Sequence, residues 1–411
     1  MGKDLIPPPK YIPSNAGIDR LLPAHLRDPK LMSALRVWRG LLPDDLFRAA
    51  VLGPKEAFAA FQRAQGSIDF SSVAQNQVLP HIHYSLGPKL IDDPREPQLK
   101  IMLVQNAFSN QLLLRQLQMI ARQFVEFGLE FLIFKGAALA PTVYPHLSCR
   151  RVGDIDMLVR EADFDRAAAH LKDLGWHPKS LHAASADSLA RLFRHGISWT
   201  HTDHEFDLDL HMHINHHASW PGTDEIYWER TATYIVNGTT IRTLSLEDHL
   251  LQVCAHGLAQ NFHPPVRWAL DAHWILQSAD KTFDWDRLIA NAERTRSSII
   301  MTVALGYLRD VLEADIPPEV LTRLSRTPFD KTEIRALKSR LASERFSGRI
   351  SAEWSRFRES RSDDSLLQAL PHLPDYLRET AGAKSLLSGF WNIVMKLIGE
   401  LESDRSKRSG W

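Results

Sequence analysis

Cysteine is almost missing from this chain of 411 residues, which has only Cys149 and Cys254. Two thiols cannot build the disulfide framework of a small secreted domain, and they fit a reducing compartment. Net charge is missing as well, since 49 basic residues balance 49 acidic ones. That argues against the broad basic face of a protein that tracks long nucleic acid and leaves room for a local patch. No run reaches the roughly 18 apolar residues that a membrane span needs. The opening residues MGKDLIPPPKYIPSNAG lack the apolar core of a signal peptide, and Ile6 stands where N-myristoylation needs Ser or Thr. A cytoplasmic protein is expected. Internal repeats and low-complexity tracts are absent too. What is present, 44% hydrophobic and 24% charged residues, is ordinary globular material, long enough for two or three structural units.

Taken in order, residues 1–19 read as a proline-rich tail. Helical spacing of apolar residues follows to about Ile91, as in PKEAFAAFQRAQ. After the breaker DDPREP, a long amphipathic helix runs to Gly128, a suitable C-cap. Short apolar runs and turns then dominate up to Ser245, and helical patterning resumes beyond it. The implied division is a tail and helical support unit over 1–98, a mixed core over 99–245 and a helical unit over 246–411. The segment LLSGFWNIVMKLIGEL (386–401) is the most apolar of all. It is too short to span a bilayer, and it reads as a buried packing helix, with contact at a membrane surface as the alternative.

The chemistry concentrates in LEFLIFKGAALAPTVYPHLSCRRVGDIDMLVR, residues 129–160. An extended run, Phe131 to Phe134, stops at Lys135–Gly136, and a stretch of small residues follows as if entering a helix. A second apolar run carries Asp154 and Asp156. Strand side chains alternate, so both aspartates point to one face, while Ile155 and Met157 point to the other. Adjacent carboxylates repel, and a divalent cation is the simplest neutraliser; Mg²⁺ is usually held by one or two carboxylates plus substrate phosphates. Downstream, FDLDLHMHIN repeats the alternation. Asp207, Asp209, His211, His213 and Asn215 share one face; Phe206, Leu208, Leu210, Met212 and Ile214 share the face toward the core.

Strand, glycine turn, helix and D-x-D on the next strand, in that order, resemble the nucleotidyltransferases of the DNA polymerase β type. FLIFKGAALA, Tyr144–Pro145 and RRVGDIDMLV are most similar to a poorly characterised bacterial branch, and the lysine–glycine turn also resembles that of the AbiEii-type toxins. The resemblance spans roughly residues 100–275. It implies an α+β fold: a nucleotidyltransferase core, a short mixed sheet flanked by helices, between helical N- and C-terminal units. It further implies that Asp154, Asp156 and Asp209 (Asp209 preferred over Asp207) bind Mg²⁺ or Mn²⁺. A nucleoside monophosphate would then pass from an NTP to an unidentified acceptor, releasing pyrophosphate. Lys135, Gly136 and Arg150 would bind phosphate. His211, His256, Arg267 and Asp271 would contact the nucleotide or the second substrate. The common turn of the superfamily is glycine followed by glycine or serine. Here Ala137 follows Lys135–Gly136, so no hydroxyl faces the phosphate, and Lys135 could replace it as a point charge.

Three competing readings accompany this one. Arg267 and Asp271 are four residues apart on a helix, the spacing of an intrahelical ion pair. HMHINHH (211–217) resembles the metal signature of zinc-dependent hydrolases, with His211, His213 and His216 as ligands, although Asn215 takes the place of that signature's aspartate. The altered turn also fits a non-catalytic nucleotide-binding module.

Overall fold

The computed structural model describes residues 44–73, 75–179, 195–215, 218–260, 267–279 and 281–326, with short pieces between 333 and 376. The proline-rich tail, His216, His217 and the segment 386–401 lie outside the described residues. Among the described residues, no helix is long and apolar enough to cross a membrane.

The architecture is α+β. Helices α1 (Asp44–Val51), α2 (Pro54–Ala64), α3 (Leu79–Leu86) and α4 (Glu96–Glu126) precede the sheet. The 31-residue α4 ends as its sequence suggests. Gly128 takes a φ of 72°, Leu129 N–H donates to Phe124 O and Gly128 N–H to Val125 O. These paired bonds satisfy carbonyls that a helix end leaves bare. The chain enters β1 (Phe131–Phe134) three residues later.

Next come α5 (Gly136–Thr142), β2 (Asp154–Val159), α6 (Phe164–Asp173), β3 (His177–Pro178), β4 (Gly196–Thr200) and β5 (Asp207–His211). Then follow α7 (Glu225–Glu229) and the hairpin of β6 (Thr231–Val236) and β7 (Thr239–Leu244). That hairpin turns on Asn237 and Gly238, both at positive φ, the two-residue turn whose twist matches paired strands. The sheet runs β3-β4-β5-β2-β1-β7-β6. β1 is antiparallel to β2, whereas the β2–β5 and β1–β7 pairs are parallel.

Alternation along the strands sorts the two faces. Phe131, Ile133, Ile155, Met157, Leu208 and Leu210 pack against Leu117, Ile120 and Phe124 of α4 and Phe164 and Leu171 of α6. Leu132, Phe134 and Leu158 face the other way, onto Ile226, Tyr227 and Trp228 of α7. Asp154 and Asp156 share the parity of Leu158 and sit on that second face. One detail departs from the sequence expectation. Ile214 packs with Leu132 and Leu158 instead of with Leu208 and Leu210, because β5 ends at His211 and the alternation ends with it.

After the sheet come α8 (Leu246–Ala255), α9 (Arg267–Ser278), α10 (Trp285–Arg294), α11 (Ser298–Leu312) and α12 (Pro318–Arg326). Ser245 caps α8 by accepting from Asp248 N–H. The wholly buried Asp248 carboxylate also accepts from Arg287 and Asn291, which fastens α8 to α10. Helices from the two ends of the chain share one core: Leu46, Phe61 and Ile82 join Leu250, Met301, Leu305 and Leu308 in a single cluster. Truncating a wholly buried member such as Leu305 to Ala would cost roughly 2–5 kcal/mol. Both cysteines are buried and unbridged.

Candidate active site

A cavity of about 290 Å³ opens where the carboxylate-bearing end of the sheet meets α8 and α9. The parallel register of β2 and β5 sets Asp156 beside Asp209, so two carboxylates that are distant in sequence lie on neighbouring strands. Lys135, Gly136, Arg150, Asp154, Asp156, Asp209, His211, His256, Arg267 and Asp271 all line this one space, as do His195, Gln252, Val253 and Trp268. Asp207 is not among the lining residues; its carboxylate pairs with Lys179.

Asp156 is the most enclosed of the carboxylates, with 2% of its side chain exposed. Lys135 Nζ donates to its Oδ1 at 2.6 Å, and His211 Nε2–H donates to the same oxygen at 3.1 Å. An ionised carboxylate can only accept, and this fixes the histidine tautomer. Burial alone would raise the pKa of Asp156. The lysine charge and the histidine bond outweigh it and hold the carboxyl well below the ordinary range. Asp154 behaves oppositely. It remains accessible through the cavity mouth, yet protein encloses its other sides. That desolvation first, and repulsion from Asp156 and Asp209 next, push it up to about 6 against the pull of Lys135 and Arg267.

Lys135 occupies a strained position. It caps α5 with φ 52° and ψ −133°, a region that favours glycine, and a non-glycine residue there costs on the order of 1–3 kcal/mol. Gly136 has a different reason to be glycine. A Cβ at 136 would lie 2.2 Å from Arg150 Nη1 and 2.9 Å from Val152 Cγ1. The missing side chain is the space in which the Arg150 guanidinium rests.

Arg150 is buried and forked onto Asp271, Nε to Oδ1 at 2.7 Å and Nη2 to Oδ2 at 2.9 Å. Tyr144 Oη donates to Asp271 Oδ1 at 2.6 Å. The intrahelical pair of Arg267 with Asp271 does not form. The bidentate partner from across the fold takes both carboxylate oxygens, and Arg267 Nη1 donates instead to the Arg151 carbonyl at 2.8 Å. His256 opens a π-helical turn, His256–Gln260, that continues α8 along the cavity; such turns recur at functional sites.

Among the described residues, no zinc site joins His211 and His213. His213 Nδ1 bonds Asp224 Oδ2 at 2.6 Å and is absent from the cavity lining, whereas His211 faces Asp156. His216 lies outside the described residues. Among the described residues, the group that could hold a metal is Asp156, Asp209 and His211, with ligand atoms within 4.8 Å of one another. Asp154 adds a further oxygen donor in the same cavity. With His211 Nε2–H turned to Asp156, the ligands left are carboxylate oxygens, a donor set that suits Mg²⁺ or Mn²⁺.

Over residues 71–313 the sequence matches the family described as "Uncharacterised nucleotidyltransferase". The chain belongs to that family. It is an enzyme of the nucleotidyltransferase class, and the cavity lies within the matched span. No curated protein matches it. Sequence reasoning missed His195, Gln252, Val253 and Trp268. They belong to no short motif, and the two helices after the sheet bring three of them to the site.

Proposed function

We propose that this cavity binds a metal–nucleoside triphosphate and transfers its nucleoside monophosphate to an acceptor hydroxyl, releasing pyrophosphate. The observation that carries this reading is the meeting of Asp154, Asp156 and Asp209 with Lys135, Arg150 and Arg267 in one cavity of a nucleotidyltransferase-family chain. Asp154, Asp156 and Asp209 hold the divalent ions, with His211 orienting Asp156. Bound there, Mg²⁺ or Mn²⁺ would neutralise the triphosphate and lower the pKa of the acceptor hydroxyl.

The chain's own cations offset the remaining phosphate charge. Lys135 is a point charge beside Asp156. Arg150, preoriented by Asp271, keeps Nη1 on the Gly136 side, and Arg267 lines the same cavity. Asp209 accepts the acceptor's proton as its oxygen bonds to the α-phosphorus and the bond to the bridging oxygen breaks. The acceptor enters through the opening at which Asp154 is exposed.

The test is a thermal-shift panel with ATP, GTP, CTP and UTP, with and without Mg²⁺ or Mn²⁺, followed by pyrophosphate release with the nucleotide that shifts the midpoint. Ligand that binds only the folded state raises the midpoint. Asp154→Asn or Asp156→Asn should keep the fold and lower turnover by about 10³-fold or more, the scale of losing a group that stabilises transition-state charge. Full pyrophosphate release by the double variant would overturn the assignment.

A further inference from the structure

Gln252 on α8 is wholly buried and lines the cavity, yet neither its Oε1 nor its Nε2 has a hydrogen-bond partner among the described residues. Buried amides are nearly always satisfied, and one left bare at both ends destabilises the fold that contains it. The site described above leaves this residue without a role.

Its surroundings narrow the role. Lys135, Arg150, Asp154, Asp156, Asp209, Arg267 and Asp271 make half of the lining charged, which suits phosphate and metal. Apart from Gly136 and the histidines, the rest of the lining is Gln252 with Val253 beside it on α8 and Trp268 on α9. The two helices meet closely there. A Cβ on Gly257, just past α8, would fall 2.4 Å from Trp268 Cβ. The cavity lining thus includes two apolar side chains and one unmatched amide, a donor and an acceptor side by side. Its complement is a flat heterocycle that presents an acceptor and a donor side by side, which is the edge of a nucleobase.

We propose that Gln252 reads the base edge of the bound nucleotide, Nε2 donating to a ring nitrogen or carbonyl and Oε1 accepting from an amino or imino N–H. This rests on the nucleotide-binding reading given above. It makes Gln252 a determinant of which nucleotide is taken, one whose amide is satisfied only when the site is filled.

The experiment compares the wild-type chain with Gln252→Leu and Gln252→Met. Three quantities are measured: the melting midpoint without ligand, the affinity for the best-binding NTP with Mg²⁺, and the affinity for inorganic tripolyphosphate with Mg²⁺. The expected result has three parts. The unliganded midpoint rises, because two unsatisfied polar atoms have left the interior. NTP affinity falls about tenfold or more. Tripolyphosphate affinity stays within about twofold of the wild-type value.

A lower midpoint with unchanged NTP affinity would make the amide structural and overturn the inference. Equal losses for NTP and tripolyphosphate would also overturn it, because the residue would then act on phosphate or on the fold. Wild-type protein that binds tripolyphosphate and NTP equally well would defeat base reading while leaving the phosphate site standing. Wild-type protein that binds neither would remove the nucleotide reading itself.

Discussion

Lys135 Nζ lies 2.6 Å from Oδ1 of Asp156, and the lysine holds that position at a backbone φ of 52°. An interior carboxylate has its counter-ion supplied by a residue in a conformation that suits glycine better. Two variants separate the opposing effects. Lys135→Met leaves Asp156 buried with only His211, at a cost of roughly 3 kcal/mol, the lower end for breaking a buried pair. Lys135→Gly loses the same ion pair but recovers about 1–2 kcal/mol of backbone strain. In urea unfolding without metal, the glycine variant should therefore be the more stable of the two, the reverse of the usual effect of introducing glycine. Millimolar Mg²⁺ or Mn²⁺ should recover part of the loss in both, by binding the folded state. A methionine variant more stable than the glycine variant would show that no strain is stored at this turn.

The two aspartates of β2 titrate in opposite senses. Asp156 is held below the ordinary carboxylate range. Its contribution to stability is present above the unfolded value of about 4 and is lost as the pH falls toward its lower folded value. Asp154 is pushed up to about 6, so the folded state holds this proton more tightly than the unfolded state does. Between about pH 4 and pH 6 its ionisation lowers stability as pH rises, and the penalty is complete above 6. Asp154→Asn should then raise the melting midpoint of metal-free protein at pH 7.5 and leave it nearly unchanged at pH 4.5. An equal rise at both values would contradict the assignment.

The same proton competes with metal. Mn²⁺ affinity, followed by electron paramagnetic resonance, should fall about tenfold per pH unit below 6 and level off above it. In Asp154→Asn the remaining affinity should lose that dependence near pH 6. A wild-type affinity that stays flat from pH 5 to pH 7.5 would mean that Asp154 does not take part in binding the ion.

How much of this was legible in the sequence follows from how local each signal is. Alternation in DIDMLV and DLDLH put Asp154, Asp156, Asp209 and His211 on defined faces, because period two holds wherever a strand holds. It failed at Ile214, one turn beyond the end of β5. The glycine cap at 128 was readable because its signal is equally local. Pairings across the fold were not. Arg150 and Asp271 are 121 residues apart, and the helical spacing of Asp271 pointed to Arg267. A local neighbour on an exposed helix face is worth a few tenths of a kcal/mol, which a buried bidentate fork outweighs. Gln252 sits in an ordinary apolar helix sequence, and only the packing of α8 against α9 shows that its amide is unmatched.

Arg150 and Gly136 form the last testable pair. Gly136→Ala places a methyl group 2.2 Å from Arg150 Nη1, and such overpacking costs about 1–3 kcal/mol. Arg150→Met frees the space but strands the buried Asp271, at roughly 3–5 kcal/mol. Urea unfolding of the double variant should show Gly136→Ala costing at least about 1 kcal/mol less in the Arg150→Met background than in the wild type, the coupling expected of groups in contact. The contact with Val152 at 2.9 Å keeps that cost from vanishing. Additive effects would mean that the alanine methyl clashes with Val152 alone and that the guanidinium moves aside freely. Arg150 would then be mobile where Asp271 and Tyr144 fix it in place. A fixed arginine is the stronger arrangement for catalysis, since a cation already aimed at the α5 end of the cavity needs no ordering when phosphate arrives.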